Sequence, residues 1–205
     1  MNRPSSRQSL NIVDRTLPKT AKEVSSVSLS AFAYLFSELI QYAMERATST
    51  GELEDRLDRV GYDVGVRMLE LLSWRERALK RKPEVLDVMR FIHNVAWPAL
   101  FGKPADDLQQ GATADDEYMI SDNEPMLHRY ISVPRSYDSF NPGALVAGVV
   151  RGMLDTAGFP ARVSAHSKEG GRGDKALGRG ATIILIKLDP AVMTRQANME
   201  ALRRA

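Results

Sequence analysis

The sequence predicts an α/β (α+β) chain: a layer of about four helices packed on a small, mainly antiparallel four-stranded sheet. Three observations carry this reading. Between positions 28 and 102, apolar residues recur at threes and fours, the spacing of helix faces. After position 116 the apolar residues fall into short runs, one of which, Phe159 to His166, has the period of two that marks a half-buried strand. Between them, Tyr130 to His166 reads as strand, helix, strand with both helix ends marked.

Residues 1–27 are rich in Ser, Thr, Lys and Arg and are read as a flexible N-terminal arm. The arm is either a disordered tail or a segment that orders on a partner, anchored by Ile12, Val13 and Leu17. Residues 28–205 form a single domain. Ser28 or Ser30 caps the first long helix, which runs to about Thr48. Phe32, Phe36, Leu39, Ile40, Ala43 and Ala47 are among its apolar residues, and Leu35, Leu39 and Tyr42 add a second row. A helix apolar over so much of its circumference is either central in the fold or buried twice, once inside and once against another chain.

The second helix spans about Glu52 to Arg77, with one stripe through Leu53, Leu57, Val60, Val64, Met68, Leu71 and Leu72. Gly61 and Gly65 sit one turn apart on one face. Each glycine costs a helix ~1 kcal/mol relative to alanine, so another backbone is expected close by, either in the chain's own core or in a neighbour. The basic run from Arg75 to Lys82 is a solvated helix end or a patch for an anionic membrane. Pro83 opens a third helix, Pro98 kinks it or converts its last turn, and Gly102 ends it. His93 has no second ligand at metal spacing and is read as structural.

Residues 103–125 are acidic and mostly loop, with a short strand at Glu117 to Ser121. Their spacing is not that of a calcium loop. Leu127 to Val133 is expected to supply the next strand, antiparallel to it. Asn141-Pro142 starts the central helix, and Gly158 closes it with a left-handed cap. A half-buried strand follows from Phe159 to His166. The glycine-rich, basic segment 168–180 lacks Gly-Lys-Ser/Thr and lies between two strands, so it is read as a flexible connection, not a phosphate loop. Ala181 to Leu188, apolar on both faces, is a central strand. Asp189-Pro190 caps a last short helix ending in Arg203 and Arg204.

A net charge of +2 gives no call for nucleic acid. No apolar run approaches the ~18 residues of a membrane span. The chain has no cysteine, hence no disulfide, thiolate metal site or cysteine nucleophile. No catalytic, cofactor-binding or metal motif is present, so catalytic, cofactor and metal residues are all read as none.

Four stretches carry a resemblance: VSLSAFAYLFSELIQY (27–42), GYDVGVRMLELL (61–72), VAWPALFGKPADDL (95–108) and YISVP…NPGALVAGVVRGML…GFPARVSAH within 130–166. Together they resemble the small core-subunit family of the trafficking protein particle (TRAPP) complex over about 27–197. The Gly-x-x-x-Gly-x-Arg of Gly61, Gly65 and Arg67 is similar to the wider family. The resemblance implies a helical layer on a small antiparallel sheet and pairing with other small TRAPP subunits through the first two helices. The pairs join into a larger complex that exchanges nucleotide on a Rab GTPase and tethers vesicles between endoplasmic reticulum and Golgi. It implies a cytoplasmic scaffold without catalysis, peripheral on endoplasmic reticulum and cis-Golgi membranes. The expected partner interface is Leu35, Leu39 and Tyr42 on the first helix and Gly61, Gly65 and Met68 on the second. The alternative is a small-molecule or acyl-chain-binding domain of the same fold. One relative holds a fatty acyl chain on a cysteine at the start of its third helix. This chain has Lys80-Arg81-Lys82-Pro83 there and no cysteine, which excludes a thioester.

Overall fold

The structure is a computed structural model that describes residues 28–75, 84–112, 114–129, 131, 140–167 and 180–204. The arm 1–27, the basic run beyond Arg75 and the glycine-rich segment up to 179 lie outside the described residues. Helices α1 (Leu29–Met44) and α2 (Thr50–Arg75) form a hairpin. Ser28 caps α1, its hydroxyl accepting from the Ala31 N–H at 3.2 Å. At the start of α2 the Ser49 hydroxyl accepts from the Glu52 N–H, while the Glu52 carboxylate reaches back to the Thr48 N–H and hydroxyl, both at 2.9 Å. Arg56, one turn on, adds an ion pair. The Thr48 N–H, then Arg56, then the Thr48 hydroxyl hold the Glu52 carboxyl down at about 2.

The third helix is one continuous rod: α3 (Val85–Phe91), a π turn (Ile92–Ala96) and α4 (Trp97–Phe101). Pro98 cannot donate to the helix ladder and crowds the preceding turn. The widened turn lies immediately upstream, where the Trp97 N–H donates to the Ile92 carbonyl. Gly102, at φ 74°, ends the rod as expected. The sheet has the order β1-β2-β4-β3, antiparallel throughout, with β1 (Asp107–Gln110), β2 (Glu117–Asp122), β3 (Ala161–Ser167) and β4 (Thr182–Leu188). β4 is central, as its two apolar faces imply. Glu117 and Lys187 are opposed across β2 and β4 and form a 2.9 Å ion pair.

The strand expected over Leu127 to Val133 is a correction. Met126–His128 forms a single 3-10 turn after Pro125, which buries Leu127 and His128, and most of the remainder lies outside the described residues. The fourth strand is instead β1, inside the acidic stretch read as loop. It is four residues long with one apolar side chain, Leu108, packed on the core, so it carries almost no alternation to read.

Helix α5 (Ala144–Ala157) is the centre of the molecule. Most of its circumference is buried between the sheet and α2. Asn141 organises its entry. The side-chain oxygen accepts from the Gly143 N–H at 2.8 Å, its amide nitrogen donates to Ser167 on β3, and its own N–H donates to Glu54 on α2 at 2.8 Å. Gly158 closes the helix at φ 83°. The core runs from α5 to the inner face of β4 (Ile184, Ile186, Leu188) and the buried side of the third helix (Met89, Ile92, Trp97). A smaller cluster of Ala43, Leu53, Leu57, Phe140 and Ala144 seals the α1–α2 turn. Helix α6 (Pro190–Arg204) closes over the start of α3, where Gln196 accepts from the Val85 N–H and Arg203 pairs with Glu84.

Candidate functional site: the outer face of the first hairpin

The two helices of the hairpin divide their apolar residues between inside and outside. On α1, Phe36 and Ala43 face the core, and Leu39 is half-buried between the two core clusters. Leu35 and Tyr42, two turns apart on one face, are 68% and 59% exposed, and Tyr34 is 76% exposed. Phe32 stacks on Phe36 at 6.2 Å, so the exposed row is continuous with the core. The Arg46 guanidinium lies 3.7 Å from the centroid of the Tyr42 ring and donates to the Tyr42 carbonyl, which holds that ring in place.

On α2 the single stripe read from sequence splits. The inward row is Leu53, Leu57, Gly61, Gly65 and Leu72, with Met68 half-buried against the core. Val60, Val64 and Trp74 are exposed and, at ~100° per residue, share a second row roughly a quarter-turn round. Gly61 and Gly65 are therefore not outer-face residues. They are buried against α5 and leave no surface to offer a partner. A Cβ on Gly61 falls 2.1 Å from the Leu145 carbonyl oxygen, and one on Gly65 falls 2.1 Å from that of Val149. The contact is reciprocal: a Cβ on Gly148 meets the Asp58 carbonyl oxygen at 2.0 Å, and one on Gly152 meets that of Tyr62 at 2.2 Å. Two glycine pairs, each one turn apart, let α2 and α5 touch backbone to backbone, a mode of close packing open only to small residues. Beside this seam Arg151 on α5 forms a two-pronged pair with Asp58 on α2, the shorter bond 2.5 Å.

Of the six expected interface residues, Leu35 and Tyr42 lie on the surface, Leu39 and Met68 are half-buried, and the two glycines are interior. Tyr34, Val60, Val64 and Trp74 join the exposed set. For Val60, Val64 and Trp74 the signal in the sequence was an apolar arc on α2 wider than its buried row, and for Tyr34 it was the apolar surplus of α1.

The transport protein particle (TRAPP) component family matches residues 32–189. Trafficking protein particle complex subunit 5 of Dictyostelium discoideum is 47% identical over 94% of this chain and all of its own length. The human subunit 5 is 38% identical over 92% of this chain and 93% of its own. The Saccharomyces cerevisiae complex subunit 31 is 27% identical over 82% of this chain and 78% of its own. Among solved structures, subunit 3 from Naegleria fowleri, covalently bound to palmitic acid, has the same fold: TM-score 0.64 at 20% identity, covering 78% of this chain and 95% of that one. With its helical layer, its four-stranded antiparallel sheet and this extent of identity, the chain belongs to the TRAPP component family, in its subunit 5 branch.

Proposed function

We propose that this chain is a non-catalytic scaffold of the TRAPP complex, joined to another small subunit through the outer face of α1 and α2. The observation that carries the reading is the exposure of Leu35 and Tyr42 on a helix whose other face is already buried. An isolated fold gains nothing from wetting such residues in a row. Covering them contributes on the order of 25 cal/mol per Å² of apolar area, less the cost of association. Leu39 and Met68 support the face from below, and Val60, Val64 and Trp74 extend it. The assembly in which the subunit serves is proposed to exchange nucleotide on a Rab GTPase and to tether vesicles between endoplasmic reticulum and Golgi. It acts from the cytoplasmic surface of those membranes. Among the described residues no helix is long and apolar enough to cross a membrane.

The test is the double variant Leu35→Asp, Tyr42→Asp. Co-expressed with small TRAPP subunits, it is expected to lose co-purification while keeping the circular dichroism spectrum of the parent. Recovery at parental yield would overturn the reading. Leu39→Asp is the poorer probe, because Leu39 also packs on the chain's own core. The ligand-binding alternative has no supporting feature of comparable weight. The chain has no cysteine on which a fatty acyl thioester could form.

A further inference from the structure

A second surface lies away from the exposed rows of the hairpin. A cleft of about 700 Å³ opens between α2, α5 and β3. Six consecutive residues of β3, Arg162 through Ser167, line it. Side chains of a strand alternate between faces, so an unbroken run lines a cleft only if the strand's edge faces it. Among the described residues β3 pairs with β4 alone, and its other edge is open.

The register says which main-chain groups point there. The Pro160 carbonyl accepts from the Asp189 N–H at 2.9 Å. The antiparallel ladder alternates from that bond through the continuous register of 161–167 against 188–182. Arg162, Ser164 and His166 therefore turn their N–H and C=O groups to β4. Ala161, Val163, Ala165 and Ser167 turn theirs outward. An open ladder of this kind is a template for another strand.

The cleft is charged in a graded way. Its α2 wall presents Glu54, Asp55 and Asp58. Asp58 is taken by Arg151. Burial pushes the Glu54 carboxyl above the usual range, while the Asn141 N–H it accepts and His166 on β3 pull it back in part. Asp55 is exposed. Arg162 stands at the other end of the strand, beyond the Asp58–Arg151 pair. One end of the edge therefore favours a cation and the other an anion.

We propose that the β3 edge receives an extended segment of a partner protein as a fifth strand, with a Lys or Arg toward Glu54 and Asp55 and an acidic residue toward Arg162. Main-chain bonds to Val163 and Ala165 supply the hold, and the terminal charges set its position. The α2 wall favours a single extended strand over the edge of a second copy, whose own helical layer comes with its sheet. This surface is independent of the α1–α2 face.

The experiment uses the full ¹⁵N-labelled chain and a ten-residue Thr/Val peptide with Lys at one end and Glu at the other. Saturating peptide is expected to slow amide exchange at Val163 and Ala165 at least tenfold and to leave Ser164, already bonded to β4, unchanged. A peptide N-methylated at alternate amides is expected not to bind. Ala165→Pro removes an outward donor without touching the β4 ladder and is expected to weaken binding at least tenfold. Asp55→Lys does not alter the fold's interior and is expected to weaken the Lys-bearing peptide while favouring one with Glu at both ends. Leu35→Asp is expected to leave peptide binding unchanged. Absence of slowing at Val163 and Ala165 at millimolar peptide overturns the proposal. So does protection of those amides by self-association of the chain without peptide.

Discussion

Helix α2 faces two surroundings, and its two faces solve opposite problems. Toward α5 it presents glycine where a core helix ordinarily presents leucine, and the reward is backbone contact along two turns. A quarter-turn away it presents valine and tryptophan to solvent. The inner face has given up side-chain area at the seam to gain closeness, while the outer face keeps apolar area that nothing among the described residues covers. At the glycine seam the buried surface is thus not the greasiest part of this helix, although Leu53, Leu57 and Leu72 fill the rest of the inward row, and apolar content by itself does not say which way a residue points.

The contrast can be broken most severely at the seam. Gly61→Ala, or Gly148→Ala from the other side, puts a Cβ about 2 Å from a carbonyl oxygen, with main chain on both sides and no flexible side chain to yield. The expected loss is at or above the ~3 kcal/mol end of overpacking costs. For a chain of this size it lowers Tm by at least ~6 °C, measurable by calorimetry. A melt within a degree of the parent would show that the helices separate freely and that the glycines are incidental.

Asp58→Ala tests the ion pair flanking the seam. It leaves Arg151 partly buried without its carboxylate. The pair retains some exposure on both sides, so the expected cost is about 1–2 kcal/mol, below that of a fully buried pair. Urea denaturation measures it, and Asp58→Ala combined with Arg151→Met is expected to recover most of the loss.

A smaller effect belongs to Glu52 at the start of the same helix. Its folded pKa of about 2 lies below the ordinary 4.5. The stabilisation is therefore complete above pH ~4.5 and is lost as pH falls toward 2. Glu52→Gln is expected to flatten that part of the acid-unfolding profile. An unchanged profile would remove Glu52 from the account. The smallest change is expected on the outer face. Leu35→Asp should alter the stability of the isolated chain by no more than ~0.5 kcal/mol, because nothing among the described residues covers that side chain. A large loss would mean that the outer face is part of the core, and the comparison would collapse.

Much of the architecture was legible because its signals are local. Ser28, Gly102 and Gly158 mark ends through their own backbone chemistry, and β4 declared itself central by being apolar on both faces. What failed to show were elements whose signals are not local. β1 is a strand because β2 offers it a ladder, not because Asp-Leu-Gln-Gln prefers extension. The 3-10 turn at Met126–His128 follows a proline and buries Leu127, and from sequence its apolar residues pass equally for a strand. At the candidate interface Leu35 and Tyr42 were readable as surplus apolar surface. The glycine pair was readable as a close approach but not as an approach to α5.

The sequence alone determined the caps at Ser28, Gly102 and Gly158, the irregular turn beside Pro98, the central strand, the absence of a thiol and the family, because each is written in a few neighbouring residues or in identity along the chain. Tertiary structure decided which face of α2 is inside, that Asp58 meets Arg151 across 93 positions, and that one edge of the sheet opens onto a charged cleft. Those facts depend on how distant segments come together in space. Helical periodicity places residues on a common face but carries no information about what that face will meet.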